Sequence, residues 1–234
     1  MSVSAESVVT LEQVTRVYQQ DSQAVRALDG VDLDIRAGDF AVLVGPSGSG
    51  KTTLLNLIGG LDSPTAGRIC ISGTEIGTMR KANLSALRLH RIGFVFQEYN
   101  LIPVLSALEN VEFVMLLQGM PEAQRRRRAI ALLDELGLQG LEHRRPAELS
   151  GGQQQRVAVA RAIAAEPVIV LPDEPTANLD SKSGAALMDL MRRLNEERGV
   201  TFVFSTHDPM VVERARRVIR LRDGRVESDE RKVG

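Results

Sequence analysis

Residues 40–52 read FAVLVGPSGSGKT. Phe40 to Val44 is an unbroken apolar run, the pattern of a strand covered on both faces in a parallel sheet. Residues 45–52 then match GxxxxGK(S/T) in full, and a helix is expected from about Thr52. A buried strand, a glycine loop and a helix in that order form the setting in which this motif holds phosphate. Gly45, Gly48 and Gly50 let the backbone turn and approach closely, so that several N–H groups and the positive end of the helix converge on one anion. Lys51 adds a full charge for the outer phosphates. Thr52 stands where a hydroxyl is needed to ligate Mg2+, an ion that takes only one or two ligands from protein. Pro46, Ser47, Ser49 and Thr53 complete the loop and helix start and are assigned to nucleotide binding with them. A functionless glycine turn leaves eight matching positions in this context unexplained.

On the N-terminal side, Val8 to Val17 alternates loosely and Val31 to Ile35 strictly, with Asp32 and Asp34 between the apolar positions, as half-buried antiparallel strands do. On the C-terminal side, Gly93 to Phe96, Val168 to Leu171 and Val200 to Phe204 are the remaining core strands. Between Val104 and Arg145 the period becomes helical. Ser106 with Glu109 has capping-box spacing, and Pro121 and Gly137 bracket a second helix. Asp208-Pro209 reads as an N-cap followed by an N1 proline, and Asp223-Gly224 as a hairpin turn. The expected organisation is one domain over 1–234. An N-terminal antiparallel β-layer and an α/β core of the P-loop type occupy 1–98 and 155–234, and 99–154 forms an inserted helical subdomain.

Two carboxylates follow the strand at Val168 to Leu171. Asp173 is suited to hold Mg2+, and Glu174, one residue on, to polarise a water as general base, at the strand end where α/β sheets bind ligands. An acidic strand-to-turn pair is common in any protein, but beside a phosphate loop it reads as chemistry. Pro172 precedes them. Proline has no N–H and is avoided in central strands, so the ladder is expected to end near Leu171.

Residues 149–153 read LSGGQ and continue as QQRVAVARA, a helical pattern. Ser150 and Gln153 have capping-box spacing. Gly151 and Gly152 leave the helix N-terminus uncovered, which presents a second anion-seeking end to something outside. An ordinary capped helix explains Ser150 and Gln153 but gives no folding benefit to two glycines after the cap.

GPSGSGKT, LSGGQ, DEPTANLD and STHD, in this order and spacing, resemble the ATP-binding cassette of ABC transporters over nearly the whole chain. The resemblance implies a head-to-tail homodimer in which the phosphate loop of one copy and Ser150, Gly151, Gly152 and Gln153 of the other enclose each ATP. It makes Tyr18 the aromatic that stacks on adenine and Gln97 the loop residue that senses Mg2+ and the attacking water. Asp180 lies at the dimer contact, and His207 is the switch histidine at the γ-phosphate. In the family the region of Leu101, Ile102, Val104 and Leu105 receives a short helix of a membrane subunit. The wording of several segments is similar to the macrolide-exporter and lipoprotein-releasing branch, which suggests outward transport.

Composition is consistent with this reading. The chain has 234 residues, 43% hydrophobic and 25% charged, with a formal net charge of -1. That length buries a core unaided, and the charge balance does not suggest a nucleic-acid binder. Cys70 is the only cysteine, so no intrachain disulfide forms. No apolar run reaches bilayer-spanning length, and MSVSAESVVT lacks a signal-peptide layout, so a cytoplasmic location, peripheral on the membrane through a permease, is expected. The run Arg125 to Arg128 reads as a solvated helix. Two rivals are an ATPase regulating a membrane signalling or cell-wall complex without transport, and a soluble non-transport ABC ATPase, for which a second cassette or long coiled-coil insertion is missing. A GTPase or nucleoside kinase leaves LSGGQ unexplained.

Overall fold

The computed structural model describes residues 6–20 and 23–232; residues 1–5, half of the stretch tested for a leader, lie outside them. β1 (Ser7–Gln20) and β2 (Gln23–Arg36) pair antiparallel. β3 (Phe40–Val44) starts a different sheet and runs into the phosphate loop, and α1 (Lys51–Ile58) follows. The chain then returns to the first sheet with β4 (Ala66–Ile71) and β5 (Thr74–Glu75), giving the order β2-β1-β4-β5.

α2 (Lys81–Arg91) leads into β6 (Ile92–Val95), after which come α3 (Ala107–Leu117) and α4 (Glu122–Glu135). A short 3₁₀ turn over Pro146–Glu148 precedes α5 (Gly151–Ala164). The remaining elements are β7 (Ile169–Pro172), α6 (Ser181–Arg198), β8 (Phe202–Ser205), α7 (Pro209–Arg214), β9 (Arg217–Arg222) and β10 (Arg225–Arg231). The second sheet has the order β10-β9-β3-β8-β7-β6 and is parallel except for the β9–β10 hairpin.

Every residue of β3 is buried because both faces of this sheet are covered. Phe40, Val42 and Val44 pack with α3 to α6, whereas Ala41 and Leu43 pack with α1 and the first sheet. Phe40 meets Phe202 and Phe204 edge-on, at centroid distances of 5.7 and 4.8 Å. The expected caps form: Ser106 with Glu109 closes a capping box, and Asp208 Oδ1 accepts from Met210 N ahead of Pro209. Asp223 and Gly224, both at positive φ, turn the β9–β10 hairpin. That turn touches the β-layer and the phosphate loop together, since Gly224 N donates to Ser49 O at 3.2 Å and Asp29 N to Gly224 O at 2.9 Å. A buried ion pair, Arg217 Nη1 to Asp39 Oδ2 at 2.6 Å, ties β9 to the start of β3. Of the arginine run, Arg128 pairs with Glu166 and Arg125 lies 3.7 Å from Glu112, while Arg126 and Arg127 are exposed.

Pro172 does not end the ladder at Leu171, contrary to expectation. It pairs with Val95, and Asp173 N donates to Val95 O and Glu174 N to Ser205 O, both at 2.9 Å. Backbone N–H groups alternate between the two neighbouring strands. Val170 donates to Thr201 O on the β8 side and Glu174 does so again four residues on. Proline removes only the donor between them, and the bonds on either side hold Asp173 and Glu174 at the strand end.

Candidate active site

Gly45 to Thr53 forms the floor of a cavity of about 750 Å3 whose walls include Tyr18, Val25, Arg26, Ala27, Glu174, Ser205 and His207. Gly50 sits at φ +100, and a Cβ there would lie 2.6 Å from Ala27 O, so only glycine lets the β-layer close on the loop. Gly48, at φ +77, has nothing within 4 Å of the place a Cβ would take, and its bare backbone faces open space. α1 begins without a side-chain cap, which leaves its first N–H groups for a ligand. Lys51 Nζ donates to Gly45 O at 2.8 Å and Pro46 O at 3.0 Å, which holds the ammonium across the loop. At the far wall Tyr18 Oη donates to Asp62 Oδ2 at 2.7 Å, and the Arg16 guanidinium stacks 4.5 Å from the ring centroid.

A second wall of the cavity comes from the ends of β7 and β8. Glu174 has φ +45, a conformation that a non-glycine side chain adopts at a cost. Its Oε2 accepts from Thr206 Oγ1 at 3.0 Å, and its Oε1 lies 2.7 Å from His207 Nδ1. Thr206 Oγ1 itself accepts from Asp208 N at 3.0 Å. The neighbouring Asp173 is different, for its Oδ1 is buried with no hydrogen-bond partner. Burial holds the Asp173 carboxyl above the usual carboxylate range; the Glu174 charge pushes the same way, and the Ser205 hydroxyl and Lys51 oppose it.

A second cluster lies outside the cavity walls. Ser150 and Gln153 close a capping box at the start of α5. Asp180 caps α6 through Ser183, and a Cβ on Gly152 would lie 3.5 Å from Ser183. A Cβ on Gly151 would meet Tyr99 Oη at 2.8 Å, the tip of a side chain that can give way, and nothing else closer than 3.7 Å. For Gly152 no such crowding exists, and its glycine remains unexplained by packing.

The sequence agrees with this geometry across its length. A family profile described as ABC transporter matches residues 28–177. The chain belongs to the ABC transporter family. It is an ATP-binding cassette of the ABC type and an ATP hydrolase. It is 47% identical over 221 residues to the lipoprotein-releasing system ATP-binding protein LolD 1 of Rhodopseudomonas palustris, covering 94% of this chain and 98% of that one. It is 48% identical over 221 residues to the macrolide export ATP-binding/permease protein MacB of Hyphomonas neptunium, covering 94% of this chain and 34% of that one. The cassette thus spans about a third of the length of the macrolide export relative. Among solved structures, the dimeric post-hydrolysis state of the cassette MJ0796 of Methanocaldococcus jannaschii, bound to ADP and Pi, superposes with a TM-score of 0.88 at 45% identity, over 97% of this chain and 99% of that one.

The cassette brings together most of the residues singled out in its sequence. Tyr18, Gly45 to Thr53, Glu174 and His207 share one cavity, whereas Ser150 to Gln153 and Asp180 share a separate surface. Gln97 joins neither wall of the cavity. It is exposed, its carbonyl accepts from Asn178 Nδ2 at 3.0 Å and its amide reaches Asn178 Oδ1 at 3.5 Å. Three features escaped the sequence reading. Val25, Arg26 and Ala27 reach the cavity through the β1–β2 register, in which Tyr18 pairs with Val25 and Val17 with Arg26. Thr206 was legible in principle, as a hydroxyl within STHD directly after a core strand. Asn178, within DEPTANLD, meets Gln97 only through the fold.

The donor set fits a hard cation. Asp173 offers a buried, unpartnered carboxylate oxygen and Thr52 a hydroxyl on the cavity floor. Among the described residues no three His, Cys, Asp or Glu side chains gather into a metal site. One carboxylate and one hydroxyl suit Mg2+ arriving on a nucleotide, since that ion keeps most of its ligands from water and phosphate. No helix among the described residues is long and apolar enough to cross a membrane.

Proposed function

We propose that this cassette hydrolyses Mg-ATP as one half of a head-to-tail pair of identical chains, and that the pair drives an integral-membrane permease from the inner face of the cell membrane. One observation carries the reading: a single chain holds two anion-seeking helix ends, at Lys51 and at Gly151, and only the first opens into the cavity. A two-fold axis brings the partner's copy of the second end over the first and generates two equivalent composite sites. The dimeric ADP- and Pi-bound state of MJ0796 supports this arrangement.

In each site the loop N–H groups and Lys51 neutralise the phosphates, and Tyr18 stacks on adenine. Thr52, Asp173 and Gln97 are the residues that hold Mg2+, Gln97 turning away from Asn178 to do so. Bound Mg2+ supplies charge neutralisation on the outer phosphates. Water attacks the γ-phosphorus, the bond to the bridging oxygen breaks, and Glu174 takes the water proton as general base. Thr206 and His207 hold the carboxylate that does this, and His207 contacts the γ-phosphate. Ser150 to Gln153 and Asp180 of the partner close the other side, so that catalysis waits for closure.

The helices within 99–154 form the subdomain that meets the permease. Val104, 71% exposed beside the half-buried Leu101 and Ile102, and the exposed face Phe113, Leu116 and Leu117 of α3 suit an apolar docking surface. The macrolide export and lipoprotein-releasing relatives support outward movement of a drug, peptide or lipoprotein. The test is the solution size of the Glu174→Gln protein with and without Mg-ATP, beside the ATPase rate of the unmutated protein. A monomer that becomes a dimer only with Mg-ATP, and loses hydrolysis, is the expected result. A mutant that hydrolyses at the unmutated rate overturns the assignment of Glu174.

A further inference from the structure

The helix behind the LSGGQ segment carries two polar side chains that the reaction as described does not use. Gln155 is fully buried in α5, where an apolar residue of the same size would pack without cost. Its Nε2 donates to Pro175 O at 2.9 Å and reaches Phe96 O at 3.4 Å, while its Oε1 is buried with no partner. An amide that leaves one buried oxygen unsatisfied is poor for stability alone. What it does secure is the backbone directly after Glu174 and directly before Gln97. Six residues further along the same helix, Arg161 Nη2 donates to Tyr99 O at 2.9 Å and Nη1 to Asn100 O at 2.5 Å. Tyr99 and Asn100 are both at positive φ, +62 and +47, so a guanidinium fork from α5 fixes two consecutive strained residues. The segment Phe96 to Asn100 is therefore held at both ends by one helix, with Gln97 between the two anchors. The start of that helix is the Ser150 to Gln153 end.

We infer that Gln155 and Arg161 are positioning residues for ATP hydrolysis: through the carbonyls of Phe96, Pro175, Tyr99 and Asn100 they hold Gln97 and Glu174 in fixed register with the Ser150 to Gln153 helix end. A nucleotide gripped by that helix end lies in the partner's cavity, so its grip is passed along the helix to the loop and the base that serve this chain's own nucleotide. The inference rests on the roles proposed above for Gln97 and Glu174. Neither Gln155 nor Arg161 touches the nucleotide, so both act on the rate of the chemical step and not on ATP affinity.

The experiment compares Gln155→Met, which keeps length and removes the donor, and Arg161→Lys, which keeps charge and removes the fork. Each is measured for kcat, KM for ATP and thermal midpoint, beside Glu174→Gln. The expected result is a roughly 10- to 100-fold fall in kcat with KM within about threefold, the scale of a displaced catalytic group. The thermal midpoint of Gln155→Met should fall only slightly, since the Pro175 carbonyl loses its donor while an unsatisfied buried oxygen is removed, and a packing role would lower it markedly. Should Gln155→Met fail to fold, Arg161→Lys decides on the same readings. Folded variants with unchanged kcat, or with KM raised and kcat kept, overturn the inference. If Glu174→Gln abolishes hydrolysis while these variants do not alter it, positioning alone fails; if Glu174→Gln hydrolyses normally, the underlying reading fails.

Discussion

Glu174 Oε1 lies 2.7 Å from Nδ1 of His207. A carboxylate can only accept there, so the Nδ1 proton belongs to this bond and Nε2 is left free on an imidazole that is 77% exposed. The proposed base and the histidine proposed to meet the γ-phosphate are thus in direct contact. Thr206 completes the cradle from the other side at 3.0 Å.

Removing that second support tests how far the cradle matters. Thr206→Val keeps the shape, strips the donor from Glu174 Oε2 and leaves Asp208 N unpaired. A hydrogen bond to a charged group contributes about 1.5–3 kcal/mol, so kcat is expected to fall roughly 10- to 100-fold with KM for ATP held. Steady-state phosphate release gives the answer; an unchanged kcat would show that His207 alone orients the base.

Asp173 should give stability and activity of opposite sign. Its pKa is raised in the folded protein by burial. Such a group contributes most to stability below its unfolded pKa and loses that contribution as pH rises through the folded pKa. At neutral pH the charged form is therefore a burden, and Asp173→Asn is expected to raise the melting temperature by roughly 2–4 °C, the response to about 1 kcal/mol in a chain this size. Hydrolysis should fall by at least about 10²-fold as the metal ligand goes. Melting curves and steady-state hydrolysis rates check both halves.

Gly152 offers a cleaner separation of folding from function. A Cβ there meets Ser183 at 3.5 Å, an ordinary contact, and φ at this position is helical. Gly152→Ala is expected to stabilise the protein by about 0.5–1 kcal/mol in urea unfolding. ATP hydrolysis and ATP-dependent dimerisation should both be lost, because the methyl group covers the helix end. Retained dimerisation would mean that this end does not meet nucleotide.

The Arg217–Asp39 pair carries no nucleotide chemistry and should report on the fold alone. Both side chains are 6% exposed. Arg217 keeps its pair with Asp229 when Asp39 is removed, so Asp39→Ala should unfold at lower denaturant, by less than the cost of an uncompensated buried charge, about 3–5 kcal/mol, with a folded-state ATP affinity that is unchanged.

How legible these features were in the sequence depended on the range of the interactions behind them. Phe40 to Val44, the phosphate loop and the capping boxes at Ser106 and Ser150 rest on contacts within a few residues, and each forms as read. α2 went unread although Leu84 and Leu87 share one face and pack against the core; none of its residues is fully buried. β4 joins the N-terminal layer from beyond α1, a pairing fixed by Val9 with Ile71 and Leu11 with Ile69 that no local pattern announces. Pro172 was misjudged because a proline in a central strand costs one donor, and the two neighbours that make up for it, Val170 and Glu174, bond to a strand some thirty residues away. Gln97 meeting Asn178 is likewise a contact between distant segments.

The hairpin turn at Gly224 braces Ser49 from below, and this has a consequence for the order in which the protein is made. Translation runs from the N-terminus, and domains begin folding as they emerge. The loop leaves the ribosome early, while its brace and the whole of β9 and β10 follow only after α7. Until then the loop's glycines are unconstrained by their eventual neighbours at Leu221 and Gly224. Until β9 and β10 have emerged, the loop lacks the contacts that hem it in on this side.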